Sequence, residues 1–415
     1  MLSKRIWICA AVLLLTAAIG TAAALTDKEQ LGKHIFYDKE LSINENQACA
    51  ACHAPQVGFT GPDSIINVLG SVYEGSISGR FGNRKPPTAA YADSPVLNDS
   101  TGIWIGGMFW DGRASGWILG DPLAEQAKGP FLNPMEQGLP NASCVVYRVI
   151  KSEYASLYKK VWDNDVFSIN WPREINKVCS KEDGQVVLSP KDQLKADTAY
   201  NNIARAVAAY ERSKEVSPFT SKYDDYLKGK AKLTRQEKKG LDLFNGDRAK
   251  CANCHVPPLF TDFSYDNLGI PKNLMNPFYY EYAWNGLGGG LNWVDMGLGG
   301  FLATTQYNSS AAENNGKHKV PTLRNVDKRP YPSYIKDYGH NGYFKSLKQI
   351  VHFYNTRDVP GATWNGEPWP APEVPGTINN VEMGDLGLTS DEEDDIVAFL
   401  KTLTDRNKSK EENKH

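Results

Sequence analysis

The chain has 415 residues, of which 41% are hydrophobic and 23% charged, so it is long enough for two domains with cores of their own. Its 46 basic and 48 acidic residues nearly balance, which argues against a basic nucleic-acid-binding protein, and its 11% aromatic content argues against wholesale disorder. The chain has seven cysteines and seven histidines. Seven cysteines are too few for a disulfide scaffold in a chain of this length, so their positions must carry the information.

The first predicted element is a secretory signal peptide over residues 1–24. Lys4 and Arg5 precede an apolar run over 6–19, and small residues at 22–24 offer a cleavage site. The apolar run is shorter than the ~20 residues that a membrane-spanning helix needs. We therefore expect a periplasmic or secreted protein with no membrane span after signal removal, with an uncleaved anchor as the alternative.

Two segments match Cys-x-x-Cys-His, the attachment pattern of a c-type haem. The two matches are Cys49-Ala-Ala-Cys52-His53 and Cys251-Ala-Asn-Cys254-His255. Two thiols one helical turn apart can each bond to the same porphyrin, and the histidine that follows supplies an axial nitrogen to the iron. A zinc site needs four ligands, and neither pair has a second pair nearby. The sequence therefore predicts two covalently bound haem c groups, with His53 and His255 as iron ligands.

The other two cysteines of the exported chain are Cys144 and Cys179. Unpaired thiols are unusual in exported proteins, so these two are predicted to form a disulfide. The alternative is a pair of separately buried thiols.

Each haem motif follows a short segment with the apolar spacing of a helix, at 31–38 and at 239–247, as at the start of a small cytochrome c domain. An Ala-rich helix is predicted over 203–210, and Thr234 with Glu237 reads as a capping box that opens the next helix. We expect a mainly α fold with two cytochrome c-like helical domains and long loops, each domain carrying one covalent haem.

The predicted N-terminal domain, with the haem at Cys49, Cys52 and His53, spans residues 25–212, and the predicted C-terminal domain, with the haem at Cys251, Cys254 and His255, spans 213–405. A charged tail follows at 406–415. Residues 266–316, rich in Gly, Asn and Tyr, are predicted to be a long functional or docking loop. Thr389 or Ser390 is predicted to cap a terminal helix.

The histidine count distinguishes the two irons. No histidine lies between His53 and His255, and the methionines of that stretch are Met108 and Met135. His34 lies in the helix before the first motif, so we expect an open sixth position on the first iron, where a small oxidant can bind. The second iron has many candidate sixth ligands: His318, His340, His352, Met275, Met296, Met383 and several tyrosines.

The paired motifs and the sequence around them resemble the bacterial di-haem cytochrome c peroxidase and MauG family over nearly the whole mature chain. Two runs are specific in this context, Phe109-Trp-Asp-Gly-Arg113 and Val320-Pro-Thr-Leu-Arg-Asn-Val326. Further shared segments are 31–55, 84–90, 125–130 and the terminal helix.

The resemblance implies roles for four residues of the catalytic region. Trp110 matches a tryptophan between the two haems that relays oxidising equivalents. Gln126, Pro130 and Glu136 match the peroxide pocket, where the glutamate moves a proton between the peroxide oxygens and the glutamine positions peroxide. The plainer alternatives are a core aromatic at Trp110 and a capping or surface carboxylate at Glu136.

The resemblance also separates two branches of the family at the second haem. Classical peroxidases have a methionine fourteen residues after the position of His340, whereas MauG-like enzymes have tyrosine, and here the residue is Tyr354. A phenolate oxygen favours oxidised iron more than a thioether does. Residues 54–80 also lack the displaceable histidine that classical peroxidases usually carry. His352 and Met383 remain as alternative ligands.

The chain departs from the family at its calcium site. The family commonly has an asparagine where this chain has Lys85, and the matching region of the second half, 329–332, is also altered. A lysine ammonium is no calcium ligand, so calcium is in question, and Lys85 is a candidate for its place. The segments 141–195 and 271–316 have no mapped family counterpart and are candidate docking surfaces.

These observations predict a di-haem oxidoreductase of the MauG type. Hydrogen peroxide would react at the open first haem, form a high-valent di-haem state and oxidise a Trp or Tyr side chain of a partner protein. The alternative is a cytochrome c peroxidase that takes electrons from a small cytochrome c or cupredoxin. A plain electron carrier is the third reading, although a carrier needs neither an open iron nor a Gln–Glu pocket.

Overall fold

The computed structural model describes residues 24–99, 101–162, 164–286 and 288–406. The predicted signal peptide, apart from residue 24, and the predicted tail beyond Arg406 lie outside the described residues. The expected mainly helical fold is confirmed. The helices described are α1 (Asp27–Tyr37), α2 (Ser64–Val68), α3 (Pro122–Leu132), α4 (Ala142–Lys151), α5 (Ala155–Val161), α6 (Ile175–Cys179), α7 (Pro190–Arg212), α8 (Lys222–Leu227), α9 (Arg235–Asn245), α10 (Cys251–Cys254), α11 (Phe278–Asn285), α12 (Gly297–Leu302), α13 (Leu347–Thr356) and α14 (Ser390–Lys401).

The strands described are two-residue segments in three antiparallel pairs, so the long connections between helices contain little regular structure. The pairs are β1 (Asn98–Asp99) with β2 (Trp104–Ile105), β3 (Tyr265–Asp266) with β4 (His318–Lys319), and β5 (Thr363–Trp364) with β6 (Glu367–Pro368).

The helix starts predicted from capping residues are confirmed. Thr234 caps α9, and its hydroxyl accepts from the backbone of Glu237, whose side chain bonds back to the cap. Thr389 and Glu392 form the same reciprocal pair at α14, where acidic residues also face the positive end of the helix.

The hydrophobic residues form two main cores. One draws on residues 31–216 and the other on residues 223–403. In the first core α1 packs across α7, and in the second α9 packs across α14, so each core is built on one crossing of two helices. The two cores separate between residues 217 and 222, while the predicted boundary at residue 213 stays a prediction.

Two lysines, the buried Lys336 and the partly buried Lys345, connect the two halves of the chain. The Lys336 ammonium donates to the backbone carbonyl of Val57 at 2.7 Å, and that of Lys345 donates to the carbonyl of Asn67, also at 2.7 Å. Each bond joins the C-terminal half to the N-terminal half. Because both ammonium groups are held by backbone oxygens, the relative position of the halves depends on main-chain geometry.

The expectation of one long loop over residues 266–316 was wrong in part. The segment contains α11 and α12, because Pro277 and Met296 start short helical turns within it. In the 141–195 segment, Cys144 of α4 and Cys179 of α6 form a disulfide. Across the residues described, no helix combines the length and apolar character needed to span a bilayer.

Candidate functional site

The first Cys-x-x-Cys-His motif lies directly beside a cavity in the N-terminal core. Cys49 and Cys52 are unpaired and, like His53, line this first cavity. The His53 Nδ1–H donates to the Phe59 carbonyl oxygen at 3.2 Å, which fixes the tautomer and leaves Nε2 as the free ring nitrogen. Burial lowers the pKa of His53, so the ring is neutral, as a metal ligand must be.

The second motif repeats this arrangement at α10 and lines a second, larger cavity. The His255 Nδ1–H donates to the Phe260 carbonyl at 2.9 Å, and burial lowers the pKa of this imidazole as well. Cys251 and Cys254 are unpaired, and burial raises the pKa of each thiol to about 12. Uncharged sulfurs at the edge of an apolar cavity, with an oriented imidazole beside them, fit a covalently attached haem at each motif.

Gln126, Pro130 and Glu136 meet at the wall of the first cavity. Pro130 lies inside α3, and its free carbonyl accepts from the backbone of Gln137, so the chain turns back after the helix and brings Glu136 to the cavity. Burial raises the pKa of Glu136. The three residues therefore share one chamber with His53, and the carboxyl group among them binds its proton more readily than an exposed glutamate does.

His34 does not line the first cavity. It is exposed on α1 and stacks on Tyr154, with ring centroids 5.4 Å apart. Among the described lining residues, His53 is the one histidine, and Met108 is the one methionine. Met108 also lines the second cavity, so it lies in the wall that the two chambers share.

Tyr354 and Met383 both line the second cavity with His255. Tyr354 lies on α13, and burial raises the pKa of its phenol. Its carbonyl accepts from the backbone of Gly384 at 2.7 Å, which holds the Met383 segment beside it. Both candidate ligand residues therefore lie at the same chamber.

His352 is held away from the second cavity. Its Nδ1 lies 2.8 Å from a carboxylate oxygen of Glu393, and its Nε2 donates to the Thr363 carbonyl at 3.2 Å. It is not among the residues that line either cavity. Of the three sixth ligands predicted for this haem, the structure brings Tyr354 and Met383 to the chamber and leaves His352 outside.

Two further histidines from the sequence prediction, His318 and His340, stack on each other in the wall of the second cavity. Their ring centroids are 3.5 Å apart, and the His318 Nε2 lies 3.3 Å from a carboxylate oxygen of Asp295. Arg84 binds the same carboxylate through two bonds of 2.6 Å. This buried cluster joins the two halves of the chain.

Trp110 belongs to a segment that contributes to the walls of both cavities. Its neighbours Met108 and Phe109 line both chambers, and Trp110 itself lines the second. The indole Nε1–H donates to the Lys85 carbonyl at 3.0 Å, and the Trp110 carbonyl accepts from Lys319 at 2.8 Å. The indole is therefore buried, and both its N–H group and the backbone carbonyl of Trp110 are held by hydrogen bonds.

The residues at the family's calcium position do not fit calcium. The Lys85 ammonium donates to the Asp337 carbonyl at 3.1 Å and lies 3.3 Å from the carboxylate of the same residue. A divalent cation at these oxygens would face a buried ammonium group of like charge. Arg329, on the other altered segment, is paired with Asp327 instead.

Sequence reasoning missed one residue of the first cavity, Glu211 at the end of α7. Its side chain is buried, and it lies four residues after Val207, which lines the same chamber. The signal available in the sequence was the position of Glu211 one helical turn after Val207, which places both on the same face of a helix. The signal is weak, because the partner helix that closes the chamber cannot be identified from spacing alone.

Comparisons with known proteins show what the whole chain is similar to. A family model described as di-haem cytochrome c peroxidase matches residues 26–232. The chain is 33% identical to methylamine utilization protein MauG of Paracoccus denitrificans, over 97% of this chain and 96% of that protein. It is 27% identical to cytochrome c551 peroxidase of Nitrosomonas europaea, over 91% and 80% of the two chains. Among solved structures, the diheme peroxidase BthA of Burkholderia thailandensis is similar, with a TM-score of 0.70, 28% identity, and coverage of 91% of this chain and 86% of that chain.

Proposed function

Since the chain belongs to the di-haem cytochrome c peroxidase family, we propose that it is an exported MauG-type oxidoreductase that uses hydrogen peroxide to oxidise a side chain of a partner protein. Cys49, Cys52 and His53 would hold one haem c in an N-terminal domain. Cys251, Cys254 and His255 would hold the other in a C-terminal domain. The observation that carries the proposal is the chamber that Gln126 and Glu136 share with His53.

The two haems, when bound, supply iron centres that accept oxidising equivalents from peroxide and pass them on. Glu136 acts on the protons of the reaction. Its carboxylate takes the proton from one peroxide oxygen and returns it to the other, so that the departing oxygen leaves as water. Gln126 orients peroxide by hydrogen bonding, and Pro130 shapes the wall. The exposed position of His34 supports an open sixth position on the first iron.

The choice of the MauG branch is supported by Tyr354 at the second cavity. An anionic phenolate stabilises ferric and more oxidised iron relative to ferrous iron, whereas a thioether favours the reduced form. The phenol has no side-chain hydrogen bond in the described part of the chain, so its oxygen is available for a bond to iron. Such a ligand suits an enzyme that holds oxidising equivalents until a protein substrate docks.

Trp110 supports electron movement between the chambers. It lines the second cavity next to Met108 and Phe109, which line both cavities, and an indole can lose an electron and regain it. Electrons from the partner's Trp or Tyr side chain would pass through the second chamber and Trp110 to the first. In the balanced reaction, one hydrogen peroxide molecule takes up two electrons from the partner protein and two protons and becomes two water molecules.

The alternative is a cytochrome c peroxidase fed by a small cytochrome c or cupredoxin. Met383 at the second cavity favours this reading, because a thioether ligand suits fast electron delivery from a reduced donor. One relative, from Nitrosomonas europaea, is named a cytochrome c551 peroxidase.

Titration of the purified, fully oxidised holoprotein with hydrogen peroxide separates the two functions. The MauG-type proposal expects a spectral change that develops without prior reduction and persists until a protein electron donor is added. Activity that requires half-reduction and turns over reduced cytochrome c rapidly would instead support the peroxidase.

A further inference from the structure

Glu211 places a second carboxyl group in the first cavity. The residue is 5% exposed, and its Oε2 is buried without a hydrogen-bond partner among the described residues. It lines the chamber together with Cys49, His53 and Glu136. A buried carboxyl oxygen left unpaired is costly, so its retention here calls for a physical reason.

The second cavity has a wall position equivalent to that of Glu211, and the two helix crossings identify it. Each core is built on a helix crossing at a glycine. A Cβ on Gly32 would lie 1.9 Å from the Ala206 carbonyl oxygen, and a Cβ on Gly240 would lie 1.8 Å from that of Asp395. Ala206 of α7 therefore corresponds to Asp395 of α14, which sets the register between the two halves.

In that register Glu211 corresponds to Leu400, five residues further along each helix. Leu400 lines the second cavity as Glu211 lines the first. At this equivalent wall position the second chamber has an apolar side chain, whereas the first has an ionisable one. The difference lies in the chamber that also contains Gln126 and Glu136.

The charged groups around Glu211 do not neutralise it. Arg212 is bound to Asp93 and Asp121, and Glu136 across the chamber carries a like charge when ionised. Burial raises the pKa of Glu211 to about 8, with Arg212 lowering it and Asp121 raising it. A change in the net charge of the chamber therefore shifts the protonation equilibrium of this carboxyl group.

We propose that Glu211 binds a proton when the first haem is reduced and releases it when that haem is oxidised, so that the reduction potential of this haem depends on pH. The inference rests on the proposed haem at Cys49 and Cys52. One electron from an external reductant enters the iron centre, and one proton from water joins the Glu211 carboxylate. Oxidation reverses both transfers. On oxidation the iron gains a positive charge, and the Glu211 carboxylate formed by loss of the proton compensates it.

The test is a spectroscopic redox titration of the purified holoprotein at a series of pH values, after mass spectrometry has established that two haems are attached. The potential of the first haem should fall with rising pH below about pH 8. One proton per electron changes the reduction constant tenfold per pH unit, or about 59 mV. Glu211→Gln should flatten this slope, while the exposed Glu153→Gln should leave it unchanged. Tyr354→Phe assigns the two potentials, because it should shift that of the second haem.

An equal slope in wild type and Glu211→Gln, with both haems attached, would overturn the role of Glu211 and leave the proposed function intact. Failure to attach a haem at the first motif in wild type would overturn both. If Glu211→Gln does not fold, infrared redox difference spectra of the Glu136→Gln holoprotein give the answer. A protonated carboxylic acid signal that appears on reduction supports the proposal, and its absence contradicts it.

Discussion

The indole nitrogen of Trp110 donates a hydrogen bond of 3.0 Å to the backbone carbonyl of Lys85. The backbone N–H of Lys85 donates to the His340 carbonyl at 3.0 Å, and its ammonium is paired with Asp337. The residue that orients the tryptophan is therefore itself fixed to the C-terminal half. Any movement between the halves would move the indole relative to both cavities.

We expect Trp110→Phe to slow electron transfer between the two haems by about tenfold or more, equivalent to about 1.4 kcal/mol in the barrier. Phenylalanine fills most of the space but is much harder to oxidise and has no N–H for the Lys85 carbonyl. Stopped-flow reduction followed at each haem measures the rate. Trp104→Phe is the matched control, because Trp104 is also buried but lines neither cavity. Equal rates in both variants would exclude Trp110 as a relay.

Lys85→Met should destabilise the protein by about 3–5 kcal/mol, because it removes the ammonium group that is paired with the buried Asp337 carboxylate. Lys85 is 8% exposed and Asp337 is 1% exposed, so water does not replace the lost ammonium. Chemical denaturation of the holoprotein measures the loss. Lys85→Met with Asp337→Asn should recover part of it.

The same ion pair predicts that the wild-type protein does not depend on calcium. Treatment with a calcium chelator should leave its thermal unfolding midpoint and its haem spectra unchanged. A lower midpoint that added calcium restores would contradict this interpretation of Lys85.

The two Cys-x-x-Cys-His motifs were recognisable in the sequence because their pattern is local. The spacing of Cys49, Cys52 and His53 is set within one turn of chain, and no distant contact is needed to recognise it. The predicted helix starts depended on equally local capping residues. The positions of Gln126 and Glu136 came from a family resemblance, and the structure brings both to the first cavity.

Glu211 was not predictable, because its significance depends on a tertiary contact. Spacing predicts a helix around it, but only the crossing of α1 over α7 at Gly32 turns its side chain toward the first chamber. His352 shows the opposite case. Its sequence position allowed a bond to iron, whereas its contacts with Glu393 and Thr363 hold it outside the cavity.

Glu136→Gln should lower the turnover of peroxide by about 100-fold or more, since an amide cannot take and return the proton. The pH dependence gives a second readout. The carboxylate is the form that accepts the proton, and burial raises the pKa of Glu136, so activity should fall with decreasing pH at a higher pH than an ordinary glutamate, with a pKa of about 4.3, would give. The variant should lack this acid limb. An unchanged limb would assign the titration to another group.

Removal of the disulfide should destabilise the N-terminal core. Cys144 and Cys179 are 35 residues apart, and closing a loop of that length is worth about 4 kcal/mol in the chain-entropy model. Cys144→Ala with Cys179→Ala should therefore lower the thermal midpoint by roughly 10 °C, with both haems still attached. Differential scanning calorimetry measures the change, and reduction of the wild-type protein is the control for the loss of the bond alone.

Three single variants decide the sixth ligand of the second haem. Burial raises the pKa of the Tyr354 phenol, so this oxygen ionises only if a cation such as ferric iron binds it and stabilises the phenolate. We expect Tyr354→Phe to change the optical and electron paramagnetic resonance spectra of the second haem and to raise its reduction potential. Met383→Leu, which removes the sulfur but keeps an apolar side chain in the same wall, should leave the spectra unchanged. His352→Gln tests the residue that is bonded to Glu393 outside the chamber and should also leave them unchanged. A spectral change in Met383→Leu with none in Tyr354→Phe would assign the thioether as ligand and favour the peroxidase over the MauG-type oxidase.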